Sequence, residues 1–154
     1  MLSKFKDFNS YDNWVLPSYM TMVADFVEYQ KKEDTKWKIR SKTFGFRFPI
    51  FKSLSEYESC IEKATLINLS EYRTKIGNLS SEPDIESLRE LVSGYIYPRD
   101  IDRIIVGLKK NKEIPLPVIL KGSKGMFIMS GNTRQNVAYI LGIRQMALLI
   151  DVSI

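Results

Sequence analysis

Met126-Phe127-Ile128-Met129-Ser130-Gly131-Asn132-Thr133-Arg134 is the stretch on which the fold turns. Its leading apolar run predicts a buried strand, and Ser130-Gly131 breaks it. Beyond the break, Val137, Ala138, Ile140 and Leu141 fall at helical spacing, and Gly142 stops the helix. A helix that starts directly after a strand presents unpaired backbone N–H groups and the positive end of its dipole, which suits an anion. Gly131 lets a ligand approach the backbone, Asn132 and Thr133 can cap or donate, and the planar fork of Arg134 can grip a phosphate. Ser130, Gly131, Asn132, Thr133 and Arg134 are therefore the candidate phosphate-binding residues. An arginine on a first turn opposes the helix dipole unless an anion sits there.

Upstream, Leu116 to Leu120 and Met126 to Met129 flank a glycine-rich turn at Lys121 to Gly125, which predicts a hairpin. Downstream, Met146 to Val152 is almost continuously apolar, the pattern of a strand covered on both faces. Asp100 is placed to cap a helix whose Ile101, Ile104, Ile105 and Leu108 face the core. Ile85, Leu88, Leu91 and Val92 mark another helix, which Gly94 can end in the left-handed conformation, and Tyr95 to Tyr97 can form a short strand. The Ser-, Asn- and Pro-rich segment Asn78 to Asp84 divides this unit, residues 81–154, from a basic N-terminal extension, residues 1–80.

Within the extension, Tyr19, Met22, Val23 and Phe26 predict a helix after Pro17-Ser18. Phe44, Phe46, Phe48 and Ile50 alternate with Gly45, Arg47 and Pro49, the period of an edge strand. Trp37 and Ile39 alternate in the opposite parity, so Ser41 to Thr43 reads as a turn or bulge between two extended pieces. Ser53 and Glu56 make the capping box of a further helix carrying Leu54, Tyr57 and Ile61. The pattern from Ala64 to Leu69 is too short to assign.

With 154 residues, 44% of them apolar and 27% charged, the chain is expected to fold around a genuine core. No apolar run reaches the roughly 18 to 20 residues that span a bilayer. Met1 to Asn9 lacks the apolar run of a secretory signal, so a cytoplasmic location without a membrane partner is expected. There is no histidine, which removes imidazole catalysis and leaves Asp, Glu, Lys, Tyr or water as acid or base. The single Cys60 cannot form an internal disulfide, and no Cys or His spacing offers a zinc site.

The net charge is +5, concentrated in Lys31 to Lys52, where eight basic residues face only Glu33 and Asp34. Interleaved with Trp37, Phe44, Phe46 and Phe48, this segment can grip a nucleic-acid backbone and stack on bases. Lys36, Lys38, Arg40, Lys42 and Arg47 are its candidate nucleic-acid-binding residues, with DNA as the partner. The alternative is that the aromatics are core and the charges a solvated face.

The order from Asp102 to Val152 resembles the ParB and sulfiredoxin superfamily. A helix, Asp102-Arg103-Ile104-Ile105-Val106-Gly107-Leu108, leads through Ile114-Pro115-Leu116-Pro117-Val118-Ile119 into the hairpin. Gly131-Asn132-Thr133-Arg134, the helix ending Tyr139-Ile140-Leu141-Gly142-Ile143 and a final apolar strand follow. The resemblance implies an α+β fold, a small mixed sheet flanked by helices, here with an N-terminal α/β extension. It also implies that the loop from Gly131 to Arg134 holds nucleotide phosphates, with ATP or CTP and Mg2+ as cofactors. The implied function is a nucleotide-dependent phosphotransferase or hydrolase in DNA or nucleotide metabolism; a non-catalytic DNA-binding module and a ParB-like nuclease are the alternatives.

The departures from the family narrow this. Sulfiredoxins carry a cysteine in the loop and this loop has none, so cysteine repair is not expected. Ser130 stands where many relatives have an acid before the glycine. The helix-turn-helix domain of chromosomal partition proteins is not expected, because two residues follow Val152. Phosphoryl transfer needs a carboxylate to accept a hydroxyl proton and another to hold magnesium. Asp100, Asp102 and Glu113, together with Glu90, are the candidates, and Asp100 is equally explained as a helix cap.

Overall fold

The computed structural model describes residues 13–32, 34–77, 79, 82–94 and 100–154. A short strand, β1 (Trp14–Val15), precedes helices α1 (Tyr19–Lys32), α2 (Asp34–Phe44) and α3 (Leu54–Glu62). Strand β2 (Thr65–Asn68), a one-turn helix α4 (Leu69–Tyr72), a 3-10 turn (Arg73–Lys75) and strand β3 (Ile76–Gly77) follow. Helices α5 (Ile85–Ser93) and α6 (Ile101–Lys109) lead to β4 (Ile114–Pro115) and the hairpin of β5 (Val118–Lys121) and β6 (Met126–Ser130). Helix α7 (Asn132–Ile140) and strand β7 (Met146–Asp151) complete the order. The class is α+β, a mixed sheet flanked by helices.

Five strands form that sheet in the order β2-β7-β5-β6-β3. β7 is parallel to β5 and antiparallel to β2, while β6 is antiparallel to β5 and parallel to β3. Strand alternation divides the side chains between two apolar clusters. Val118, Leu120, Phe127, Met129, Met146, Leu148 and Ile150 face the larger one, with Trp14, Phe26, Phe46, Ile61, Leu88 and Val137. Ile119, Ile128 and Ala147 face the other, with Ile67, Leu69, Ile76 and Leu79. The run from Met146 is thus covered on both faces, as its continuous apolarity predicts. β2 and β3, both on the N-terminal side of residue 80, supply the two edges of the sheet. Asn78 to Asp84 is therefore a connection between elements of one sheet.

The helix starts expected at Ser53 and Asp100 hold. The Ser53 hydroxyl accepts from the Glu56 N–H at 3.2 Å, and the Glu56 carboxylate reaches back to the Lys52 N–H at 2.7 Å. The helix ends divide. Gly142 is left-handed at φ 70°, its N–H donating to Tyr139 O and that of Ile143 to Ala138 O, a Schellman ending for α7. Gly94 is not left-handed: it sits at φ −84°, continuing the right-handed backbone, and its N–H closes α5 on Leu91 O at 3.3 Å. The segment Tyr95 to Tyr97 lies outside the described residues.

The extended pieces read around Trp37 and Phe44 to Ile50 are corrected. Trp37 and Ile39 belong to α2, where a turn of 3.6 residues sends Trp37 inward and leaves Ile39 61% exposed. α2 runs through Ser41 to Phe44, and left-handed Gly45 ends it. Phe46 makes only a single bridge, to Ser153. Beyond it the chain is irregular, held by an aromatic cluster: Trp37 packs on Phe46 and Phe48, and Phe26 on Phe48 and Phe51. Ala64 to Leu69, unassigned from sequence, holds edge strand β2.

Candidate functional site

The turn between β6 and α7 is built on Gly131. Its φ is 88° and its carbonyl accepts the first helical hydrogen bond, from the Gln135 N–H at 2.9 Å. A Cβ there would lie 2.9 Å from both Pro117 Cβ and Arg134 Nη2, so glycine is required by conformation and by space. The same contact locates Arg134: its guanidinium folds back over the turn from which α7 starts. Helices α3, α5 and α6 begin on Ser53, Asp84 and Asp100, whose side chains take an N–H of the first turn. Gly131, lacking a side chain, gives α7 no such N-cap.

Ser130, the last residue of β6, is half-buried and aligned with Val118, while Thr133 is buried. Asn132 is half-buried, and its Oδ1 is shielded from solvent without a hydrogen-bond partner. Gln135 is 0% exposed, and among the described residues neither its Oε1 nor its Nε2 has a partner. Buried polar atoms are nearly always paired by protein, water or ligand, and of these three only Gln135 Nε2 is a donor able to meet an anion. The structure thus brings Ser130, Gly131, Asn132, Thr133 and Arg134 to one end of the sheet.

One further residue packed against α7 has no signal in the sequence. Arg73, from the 3-10 turn, is 3% exposed. It donates to Asn136 Oδ1 and to Gln145 Oε1, and its guanidinium lies 4.2 Å from the centre of the Tyr139 ring. Burial pushes its pKa below the ordinary arginine value, with Tyr139 acting in the opposite sense.

Two of the candidate acids, Asp100 and Asp102, have other work. Asp100 Oδ1 caps α6 by accepting from the Arg103 N–H at 3.0 Å. Asp102 accepts both ends of the Arg89 fork at 2.6 and 3.0 Å, and that hydrogen bonding holds its carboxyl below the usual range. Glu90 and Glu113 are exposed. Among the described residues, no three Asp, Glu, Cys or His side chains gather into a set able to hold a metal ion. The glycine turn, the helix start and the Arg134 guanidinium have the donor chemistry that a phosphate takes.

In the basic segment, Lys38 and Lys42 are exposed one turn apart on α2, and Arg47 is exposed beyond it. Arg40 instead lies over the Phe127 ring at 5.1 Å, and the Lys36 side chain is outside the described residues. Trp37, Phe46 and Phe48 are buried in the aromatic cluster, so they do not stack on bases. Cys60 is half-buried on α3, and burial pushes its thiol up, with Lys63 opposing. A groove of about 580 Å³ lies at the other end of α7, where Trp14, Leu108, Asn111, Leu141 and Arg144 are among its lining. Gly142 and Lys109 line it as well, beside Arg144. Among the described residues, no helix is long and apolar enough to cross a membrane. No protein-family model, curated protein or solved structure matches the chain.

Proposed function

We propose that this chain binds a nucleotide, ATP or CTP, by seating a phosphate at the N terminus of α7 between the backbone of the Gly131 turn and the Arg134 guanidinium. The observation that carries this reading is the fold-back of Arg134 over an uncapped helix start, 2.9 Å from where a Gly131 Cβ would stand. Backbone N–H groups and the helix dipole attract the anion there, and the arginine fork adds a charge-assisted contact. Binding is the part of the function supported by the geometry; phosphotransfer or hydrolysis requires a base that the engaged Asp100 and Asp102 do not supply as they stand.

The test is a nucleotide titration of wild type, Arg134→Ala and Arg134→Lys, with thermal melts to confirm folding. Loss of the guanidinium costs about 1.5 to 3 kcal/mol, on the order of ten- to a hundredfold in affinity. Lysine restores only part of it, because it supplies charge without the fork. Equal affinities in all three, or no binding by wild type, would remove the proposal. A second reading, DNA held by α2, is favoured by the exposure of Lys38, Lys42 and Arg47.

A further inference from the structure

Arg73 carries its charge in the interior, and no counter-ion pairs with it among the described residues. It is 3% exposed, its hydrogen bonds end on the amide oxygens of Asn136 and Gln145, and its Nε is buried with no partner. Among the described residues no carboxylate pairs with it, in contrast to exposed Arg89, which holds Asp102 through both ends of its fork. A buried cation answered only by neutral oxygens and a ring is unfavourable, because dipoles replace only part of the lost hydration.

The surroundings of Arg73 lead back to the start of α7. Asn132, Gln135, Asn136 and Tyr139 share one face of the helix, being three, four and seven residues apart. Helical side chains lean toward the N terminus, so the Gln135 amide stands over the first turn. That amide and Asn132 Oδ1 are buried without partners. Unanswered polar groups therefore extend from the first turn to Arg73 over about one helical pitch, roughly 5 Å. Asn132 is half-buried and Tyr139 is 38% exposed, so the face meets solvent along its edge.

We propose that Arg73 is the second cation of this site and that the ligand is an oligophosphate, with one phosphate at the N terminus of α7 against Arg134 and a neighbouring charge answered by Arg73. This deepens the nucleotide reading above and rests on it. It names the part of the nucleotide that matters, a chain of at least two phosphates, and predicts poor binding of monophosphates.

Titration of the full-length chain with orthophosphate, pyrophosphate and tripolyphosphate, at fixed ionic strength, tests it in wild type, Arg134→Ala, Arg73→Met and Arg73→Lys. Wild type should bind tripolyphosphate at least tenfold more tightly than orthophosphate. Arg73→Met should lose that preference while holding orthophosphate within about twofold of wild type, and Arg134→Ala should weaken all three. Should the methionine variant fail to fold, Arg73→Lys, without the fork, should still narrow the preference. An Arg134-dependent site that treats the three anions alike, or keeps its preference in the folded Arg73 variants, overturns the role of Arg73 and leaves the phosphate reading standing. No anion bound by wild type overturns both.

Discussion

Gly131 meets two demands that can be separated by experiment. Both Gly131 and Gly142 have positive φ, but a Cβ at Gly142 meets nothing within 4 Å, whereas one at Gly131 meets Pro117 and Arg134. Gly142→Ala should therefore cost only left-handed strain, about 1 to 2 kcal/mol. Gly131→Ala should exceed it and also displace Arg134, weakening nucleotide binding. Chemical denaturation of both variants beside a nucleotide titration checks this, and equal behaviour of the two would contradict it. Tyr57 offers a pH test. Its hydroxyl donates to Pro17 O, and burial, then Cys60 and Glu58, push its pKa up to about 12 from an ordinary 10. A group with a raised folded pKa adds stability that is full below pH 10 and is lost as the pH climbs through about 12. Tyr57→Phe should flatten the stability curve in that window and cost about 0.5 to 1.5 kcal/mol at neutral pH, read by denaturant melts. At this scale the turn at Gly131 was legible in the sequence, since a glycine between an apolar run and a helical pattern marks the passage from strand to helix. Arg73 was not, because no local pattern announces a contact that spans 63 positions to Asn136.

Helix α2 shows how an element can be misread. Phenylalanines at 44, 46 and 48 have the period of a strand, yet Asp34 to Phe44 contains neither glycine nor proline, and Trp37, Ser41 and Phe44 fall on one helical face. Packing decided the matter. Phe44 and Gly45 dock on the β5–β6 hairpin tip, where Gly45 O accepts from Ser123 N at 2.8 Å and Phe44 O accepts from Lys124 N at 3.0 Å. A Cβ at Gly122 would collide with the Phe44 carbonyl. Gly122→Ala should thus destabilise by about 1 to 3 kcal/mol, seen as a lowered melting temperature. Unchanged stability would show that the docking is loose. If α2 holds DNA, reversing Lys38 and Lys42 to Glu should weaken binding and flatten the salt dependence by a slope of about 2, since each phosphate contact contributes about 0.9. The capping box at Ser53, the hairpin and the buried run from Met146 were legible because each is specified locally. The edges β2 and β3 were not, being short strands that exist only by pairing with β7 and β6.

Across the whole molecule, the sheet ties the two halves of the chain together. Removing the first eighty residues would strip β2 and β3 from both edges and Trp14, Phe26, Phe46 and Ile61 from the larger core. Residues 81–154 alone should consequently show no cooperative melt and should associate through the bared edges of β6 and β7. A sharp transition in that fragment would show that the unit around α7 folds by itself. The same architecture brings the Gly131 turn and Arg73, from opposite sides of residue 80, onto α7. Backbone amide shifts of the full-length chain, followed during titration with ATP and with pyrophosphate, locate the anion most directly. Phosphate seated at the start of α7 moves the amides of Asn132, Thr133, Arg134 and Gln135 furthest, saturably, and the movement disappears in Arg134→Ala. Unmoved amides there, with saturable shifts on α2 or at the groove beyond Leu141, would contradict it.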